Sequence, residues 1–166
     1  PTAGDDSCHA VLWTKQSFSG DLKIEYTYTR LDEAKEFVTI LYIQATGDGR
    51  KGRDPDIAKW ADQRTTPDMW RYYGGMELYH ISYAAFPTRG PEPHIDYIRA
   101  RRYMPSAKKG LKGTDLKPDY FDTKLFATGV PHRITVIRKG DVLSMKVENK
   151  EKTMLCEWKL DKFPLL

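Results

Sequence analysis

Cysteine is scarce. Cys8 and Cys156, the only two in 166 residues, stand nearly a chain length apart and lack the spacing of a metal site. They are either buried free thiols or one long-range disulfide, and a disulfide would imply an oxidising compartment. Long apolar runs are missing too: none approaches the roughly 20 residues of a membrane span, and the first residues do not read as a signal peptide. No membrane partner is expected. Charge of one sign is thin, because 27 basic residues are interspersed with 23 acidic ones for a net +4. The longest basic cluster, KKGLKG at 108–113, reads as a short loop; without a basic stripe or a reading helix, a nucleic-acid partner is not expected. Of the four histidines, no two have zinc spacing, and the acidic loop with Asp48, Asp54 and Asp56 is broken up by glycine, lysine and arginine. Neither a metal nor another cofactor is expected. A secreted or periplasmic setting is slightly favoured over the cytoplasm.

What the chain does have is aromatic residues, ten tyrosines and four tryptophans among them, and such rings favour strands. The length suits one domain over residues 1–166. Period-two alternation dominates. In DLKIEYTYTR, Ile24, Tyr26 and Tyr28 face one way while Lys23, Glu25 and Thr27 face the other. EFVTILYIQATG is apolar on both faces and reads as a central strand; MELYHISYAA and HIDYIRARRY follow, divided by FPTRGPEP. HRITVIRKGDVLSMKVENK reads as a hairpin turning at Gly140 and Asp141, and TMLCEWKL alternates Met154, Cys156, Trp158 and Leu160. One short helix is expected, with Asp54 as its cap, Pro55 in its first turn and an apolar stripe of Ile57, Trp60 and Ala61. Many short strands and little helix predict an all-β fold, two packed antiparallel sheets in a sandwich or jelly roll. The chain starts in a loop and stops at FPLL directly after a strand, so strands of a larger parent are expected beyond both ends.

The succession LWTKQSFSGDLKIEYTYTR, ILYIQATGDG, YYGGMELYHISY, DYIRARRYMP and HRITVIRKGDVLSMKVENK resembles the YesU-like family, a domain-of-unknown-function family with the concanavalin A-like lectin/glucanase jelly roll. The resemblance covers most of residues 9 to 149, and the order of the pieces is more specific than any one of them. The family is associated with bacterial polysaccharide degradation, including plant-pectin systems. The resemblance therefore implies a carbohydrate ligand, without supplying an established set of catalytic residues. It also implies a further glycine- and arginine-containing strand beyond Leu166.

The chemistry-bearing residues gather between positions 79 and 105. Alternation puts His80 and Ser82 on one face of their strand, opposite to Tyr79, Ile81 and Tyr83; on the next strand, Tyr97, Arg99, Arg101 and Tyr103 share a face. Should the two rows line one concave face, they form a groove with an imidazole, hydroxyls and guanidinium forks. Such a groove suits an acidic sugar, since arginine holds a carboxylate bidentately and His80 or Tyr97 can move a proton. The plainer alternatives are arginines paired with strand acids on a solvated face and a core imidazole satisfied by tyrosine or backbone. Tyr42 and Gln44 add a phenol and an amide to the candidate groove, and Trp13, Trp60 and Trp70 are candidate stacking platforms, whereas Trp158 reads as core. His94 follows Pro93 in a loop and is a candidate to close over the groove, or a surface histidine.

Hydrolysis of a glycoside asks for two carboxylates on one face, roughly 5 to 10 Å apart. The ExDxxE strand of jelly-roll glucanases resembling laminarinases is absent. Glu77 and Asp96 are the nominated pair, although strict alternation sets Glu77 with Tyr79 rather than with His80. β-Elimination of a uronate needs a charge neutraliser and a proton shuttle, which His80, Tyr97, Arg99 and Gln44 can supply. The expected function is a polysaccharide-degrading enzyme, a glycoside hydrolase or uronate lyase, with an oligo- or polysaccharide partner that has some acidic character. A non-catalytic carbohydrate-binding module of the same fold is the alternative, and an interaction domain without a glycan site is the third reading.

Overall fold

The alternating segments form eight strands, seen here in a computed structural model that describes residues 10–35, 38–50, 52–65, 68–86 and 95–162. In chain order the elements are β1 (Leu22–Thr29), β2 (Thr39–Gly47), a 3₁₀ helix (Ile57–Arg64), α1 (Met69–Tyr73), β3 (Met76–Ala85), β4 (Tyr97–Tyr103), a 3₁₀ turn (Pro105–Ala107), β5 (Asp115–Phe121), β6 (Pro131–Lys139), β7 (Val142–Glu148) and β8 (Thr153–Lys159). They build two four-stranded sheets with strand orders β1-β6-β7-β8 and β2-β3-β4-β5. Every pairing is antiparallel. The protein is thus the all-β sandwich expected from its pattern. No helix among the described residues is long and apolar enough to cross a membrane.

The main core lies between the sheets. One sheet contributes Ile134, Val136, Leu143, Met145, Val147, Cys156 and Trp158, with Ile24, Tyr26 and Tyr28 packed at its margin; the other contributes Ile43, Tyr79, Ile81, Tyr83, Ile98, Ala100 and Leu116. Cys156 is a buried free thiol, and Cys8 lies outside the described residues.

β3 is buried on both faces, because the long connection from β2 folds back over the outer side of its sheet. There Trp60 and Tyr72 cover Met76, Leu78 and Tyr103, with Trp13, Tyr42, Ile57, Met69 and Tyr73 packed around them. Two details of this connection differ from expectation. Asp56, not Asp54, caps the first helix, which is a 3₁₀ helix kinked at Trp60. A second helix, α1, is capped by Asp68 and is too short to show a period in sequence.

The start of the connection is tied down by charge. The Asp48 carboxylate is fully buried and pairs with Arg50 at 2.7 Å and Arg53 at 3.3 Å. Arg53 also donates to Gly74 O, and Arg50 to Pro105 O. Asp54, meanwhile, pairs with Lys59. The carboxylates of this acidic loop are therefore spent within the fold. Gly47 permits the close crossing: a Cβ there would meet the Asp54 carbonyl oxygen at 2.0 Å.

β5 was not legible as a strand, because Pro118 sits inside it. Proline is tolerated here since β5 is an edge strand. Its alternation holds nonetheless: Leu116 and Tyr120 pack on the core between the sheets, which turns Asp115, Lys117, Asp119 and Phe121 to the outer side.

Candidate functional site

Cross-strand register assembles the outer face of the β2-β3-β4-β5 sheet. Tyr42 lies opposite His80, His80 opposite Arg101, and Arg101 opposite Asp115, so one row crosses all four strands. In the next row Ser82 lies opposite Arg99, whose guanidinium reaches Asp119 on β5. Directly opposed residues share a face. His80, Tyr97, Arg99 and Arg101 therefore stand on one side of the sheet.

His80 is only 4% exposed. Its Nδ1 is hydrogen-bonded to the Tyr103 hydroxyl, and its Nε2 lies 2.5 Å from Ser82 Oγ. A neutral imidazole has one donor and one acceptor, so one of these hydroxyls accepts and the other donates. Burial pulls the His80 pKa down from 6.5 to about 3, helped by the nearby charges of Arg101 and Arg99. The ring is therefore neutral at any physiological pH and too weak a base to hold a proton in a reaction. Burial likewise raises the pKa of Tyr103 and of Tyr42. The Tyr97 hydroxyl is raised by burial against the opposing pull of Arg99 and Arg101.

Tyr42 is less open than expected. Trp13 stacks on it with ring centroids 5.8 Å apart, His80 meets it edge-on at 5.7 Å, and its hydroxyl donates to Met69 Sδ. Trp13 is thus engaged with Tyr42 and with the Arg64 guanidinium, 5.2 Å from its ring. Trp60 is buried and donates its indole N–H to Asp54 O. Trp70 remains 47% exposed, with Arg71 over its ring, and Trp158 is core.

Three expectations are corrected. Gln44 does not join Tyr42 on the outer face. It sits at φ 53 where the β2–β3 register slips, and this bulge sends its amide away to donate to Gly20 O at 3.0 Å. Ala45 takes the outer position instead. Glu77 is not brought to the His80 face: it pairs with Arg102 at 2.8 Å and accepts from Ser106 Oγ, and Arg102 lies over the ring of inward-facing Tyr79. Nor do Glu77 and Asp96 form a pair. Leu78 is opposite Tyr103 and Ala85 opposite Tyr97, which puts them at opposite ends of the strands, more than about 20 Å apart at the rise of a strand. Asp96 is buried against Thr123. His94 lies outside the described residues.

The arginines already hold carboxylates. Arg99 pairs with Asp119 at 3.0 Å and Arg101 with Asp115 at 2.9 Å, while Arg101 also donates to Thr114 Oγ1. Asp119 takes a second cation, Lys117, at 3.0 Å. The Arg99 guanidinium lies 4.8 Å from the Tyr97 ring centroid, and Tyr97 leans on Phe121 at 6.3 Å. Phe121 is 56% exposed. The outer face is thus divided. Aromatic packing closes its β2–β3 end over His80, and its β4–β5 side remains half open as a strip of Tyr97, Phe121, Arg99, Asp119, Arg101 and Asp115. The β5 members of this strip, Asp115, Asp119 and Phe121, were missed in sequence. The signal for them was the alternation D-x-K-x-D-x-F across Pro118.

Among the described residues, no group of three His, Cys, Asp or Glu side chains is arranged to hold a metal. In comparison with known proteins, the chain matches no family profile, no curated protein and no solved structure. The likeness to the YesU-like family therefore rests on the quoted stretches alone.

Proposed function

We propose that this is a carbohydrate-active protein of the concanavalin A-like kind that engages a glycan along the β4–β5 strip of its outer sheet face. The observation that carries this reading is the half-open array of Arg99–Asp119 and Arg101–Asp115 pairs beside the rings of Tyr97 and Phe121. Alternating charged donors and acceptors match the hydroxyl edge of a sugar, and an exposed ring matches its C–H face. Binding is the first reading because, among the described residues, His80 is held neutral by burial and the Tyr97 hydroxyl is raised, so neither is tuned to exchange a proton near neutral pH.

One observation favours an enzyme as the second reading. Asp115 lies opposite Arg101 and Asp119 pairs with Arg99, so the two carboxylates are held by arginines two residues apart on β4, whose spacing is roughly 7 Å at the rise of a strand. That spacing falls within the range of inverting glycosidases. The test is to incubate the protein with a panel of neutral and uronic polysaccharides, following glycan retention, reducing ends and the ultraviolet absorbance of unsaturated uronates together. Retention without product supports the binding reading. Reducing ends that vanish in Asp115→Asn establish a hydrolase, and absorbance establishes a lyase. Neither retention nor product, on a panel spanning plant and algal glycans, refutes a carbohydrate function.

A further inference from the structure

The connection from β4 to β5 stands in water and still holds its shape. Every residue from Ser106 to Gly113 is exposed, yet the backbone closes on itself: Lys108 N–H donates to Pro105 O, Lys112 N–H to Lys109 O and Thr114 N–H to Leu111 O. Side chains pin it to the sheet as well. Arg50 donates to Pro105 O, Ser106 Oγ to Glu77, and Arg101 to Thr114 Oγ1 and Leu111 O. The Arg101 contacts set the loop against the outer sheet face, at the end of the β4–β5 strip. The carboxylates it meets there are already neutralised, Asp48 by Arg50 and Arg53, Glu77 by Arg102 and Asp115 by Arg101. Lys108, Lys109 and Lys112 have no ion pair among the described residues, and on the strip Lys117 and Arg99 share the single carboxylate of Asp119. These four lysines with Arg99 and Arg101 face only Asp115 and Asp119. The difference is four charges, the net charge of the whole chain, so the rest of the chain balances in sum.

We propose that the Lys108–Lys112 loop anchors a polyanionic glycan, a polysaccharide with carboxylates or sulfates along its length, which runs from the loop onto the β4–β5 strip. The inference rests on the glycan-binding reading above and names its ligand class. Ammonium groups on flexible stems meet a repeating charge wherever it falls, whereas Arg99 and Arg101 are each held by a carboxylate and are not free to clamp an acidic sugar. The loop thus supplies attraction, and the strip supplies the ring and the polar edge. Exposed lysines that neutralise a polyanion release its counterions, so affinity falls as salt rises. A single-stranded nucleic acid is the other polyanion to weigh, but it calls for successive stacking rings along a basic groove. Of the two rings on the strip, only Phe121 is exposed.

The experiment is affinity gel electrophoresis of the whole chain through polygalacturonate, alginate and carrageenan, through neutral galactan, arabinan and mixed-linkage glucan, and with single-stranded DNA as a further probe. Wild type is compared with a loop variant, Lys108→Gln with Lys109→Gln and Lys112→Gln, and with a charge-matched control, Lys139→Gln with Lys150→Gln and Lys159→Gln, three exposed lysines on the strands and turns of the other sheet. At least one acidic glycan should retard wild type more than any neutral glycan or the DNA does, and uronates against carrageenan tell carboxylate from sulfate. The loop variant should weaken that retardation about tenfold or more, and raising the salt from about 50 to about 200 mM should weaken it in wild type but much less in the variant. The control should bind as wild type does. Equal losses in the two variants would overturn the inference, since net charge alone would then account for binding. DNA bound more tightly than every glycan and released by the loop variant would overturn it in favour of a nucleic acid. Neutral glycans bound best, and undiminished in the loop variant, would overturn it and leave the glycan reading standing. Retardation by no glycan would overturn both.

Discussion

Replacing His80 by glutamine keeps a donor and an acceptor near Tyr103 and Ser82 but removes the group that titrates. In the unfolded chain this imidazole takes up a proton near pH 6.5, whereas in the folded protein it does so only near pH 3. Between these values the unfolded state holds one more proton, so stability rises with pH. The contribution of neutral His80 is fully present above about pH 6.5 and drains away as the pH falls toward 3, at about 1.4 kcal/mol per unit. At about pH 4.5, two units below the unfolded value, roughly 3 kcal/mol has gone, and by pH 3 about 5 kcal/mol. Those are large fractions of the total stability of a domain this size. The assay is urea unfolding of wild type and His80→Gln across this range. The variant should start about 1–3 kcal/mol lower near pH 7, from imperfect hydrogen bonding, and then lose less stability than wild type on acidification, so that the two curves converge and cross before about pH 3. His132 and the paired carboxylates contribute equally to both proteins and cancel in the difference. Parallel curves would refute the reasoning, because they would mean that the His80 ring meets water in the folded state.

The remaining predictions concern residues whose roles the packing has reassigned. Glu77→Gln removes the carboxylate charge that faces the Arg102 guanidinium, which is only 3% exposed and also donates to Tyr103 O, and should cost about 1–3 kcal/mol in urea unfolding; glycan retention measured below the transition should be unchanged. Gly47→Ala forces a Cβ to within 2.0 Å of the Asp54 carbonyl oxygen and should destabilise by more than about 2 kcal/mol, read as a lower thermal midpoint. The Cys156 thiol is buried and its pKa pushed up to about 12, so a thiol reagent near pH 8 should label it only in denaturant. Labelling of Cys156 in the native protein at the unfolded rate would contradict the packing around it.

Strand faces were readable because they depend on neighbouring residues alone. The alternation of Ile24, Tyr26 and Tyr28, of Leu143, Met145 and Val147, and of Cys156 and Trp158 is a local property of the extended chain. Each of these rows faces the core between the sheets. The same rule put His80 with Ser82 and Tyr97 with Arg99 and Arg101. It failed at Gln44, where a single residue at positive φ breaks the period, and the alternation across Pro118, which an edge strand accommodates, went unread.

The sequence by itself determined that the chain is an all-β sandwich and which side chains share a face of each strand, because both follow from period-two burial. Tertiary structure decided what each face meets. Only the fold closes Tyr42, Trp13 and Tyr103 over His80 and so turns a candidate catalytic imidazole into a neutral, hydrogen-bonded one. Only the β4–β5 register brings Asp119, twenty positions along the chain, against Arg99, so that an apparently free cation becomes half of an ion pair. Burial and charge neutralisation depend on residues distant in sequence, and local alternation has no access to them.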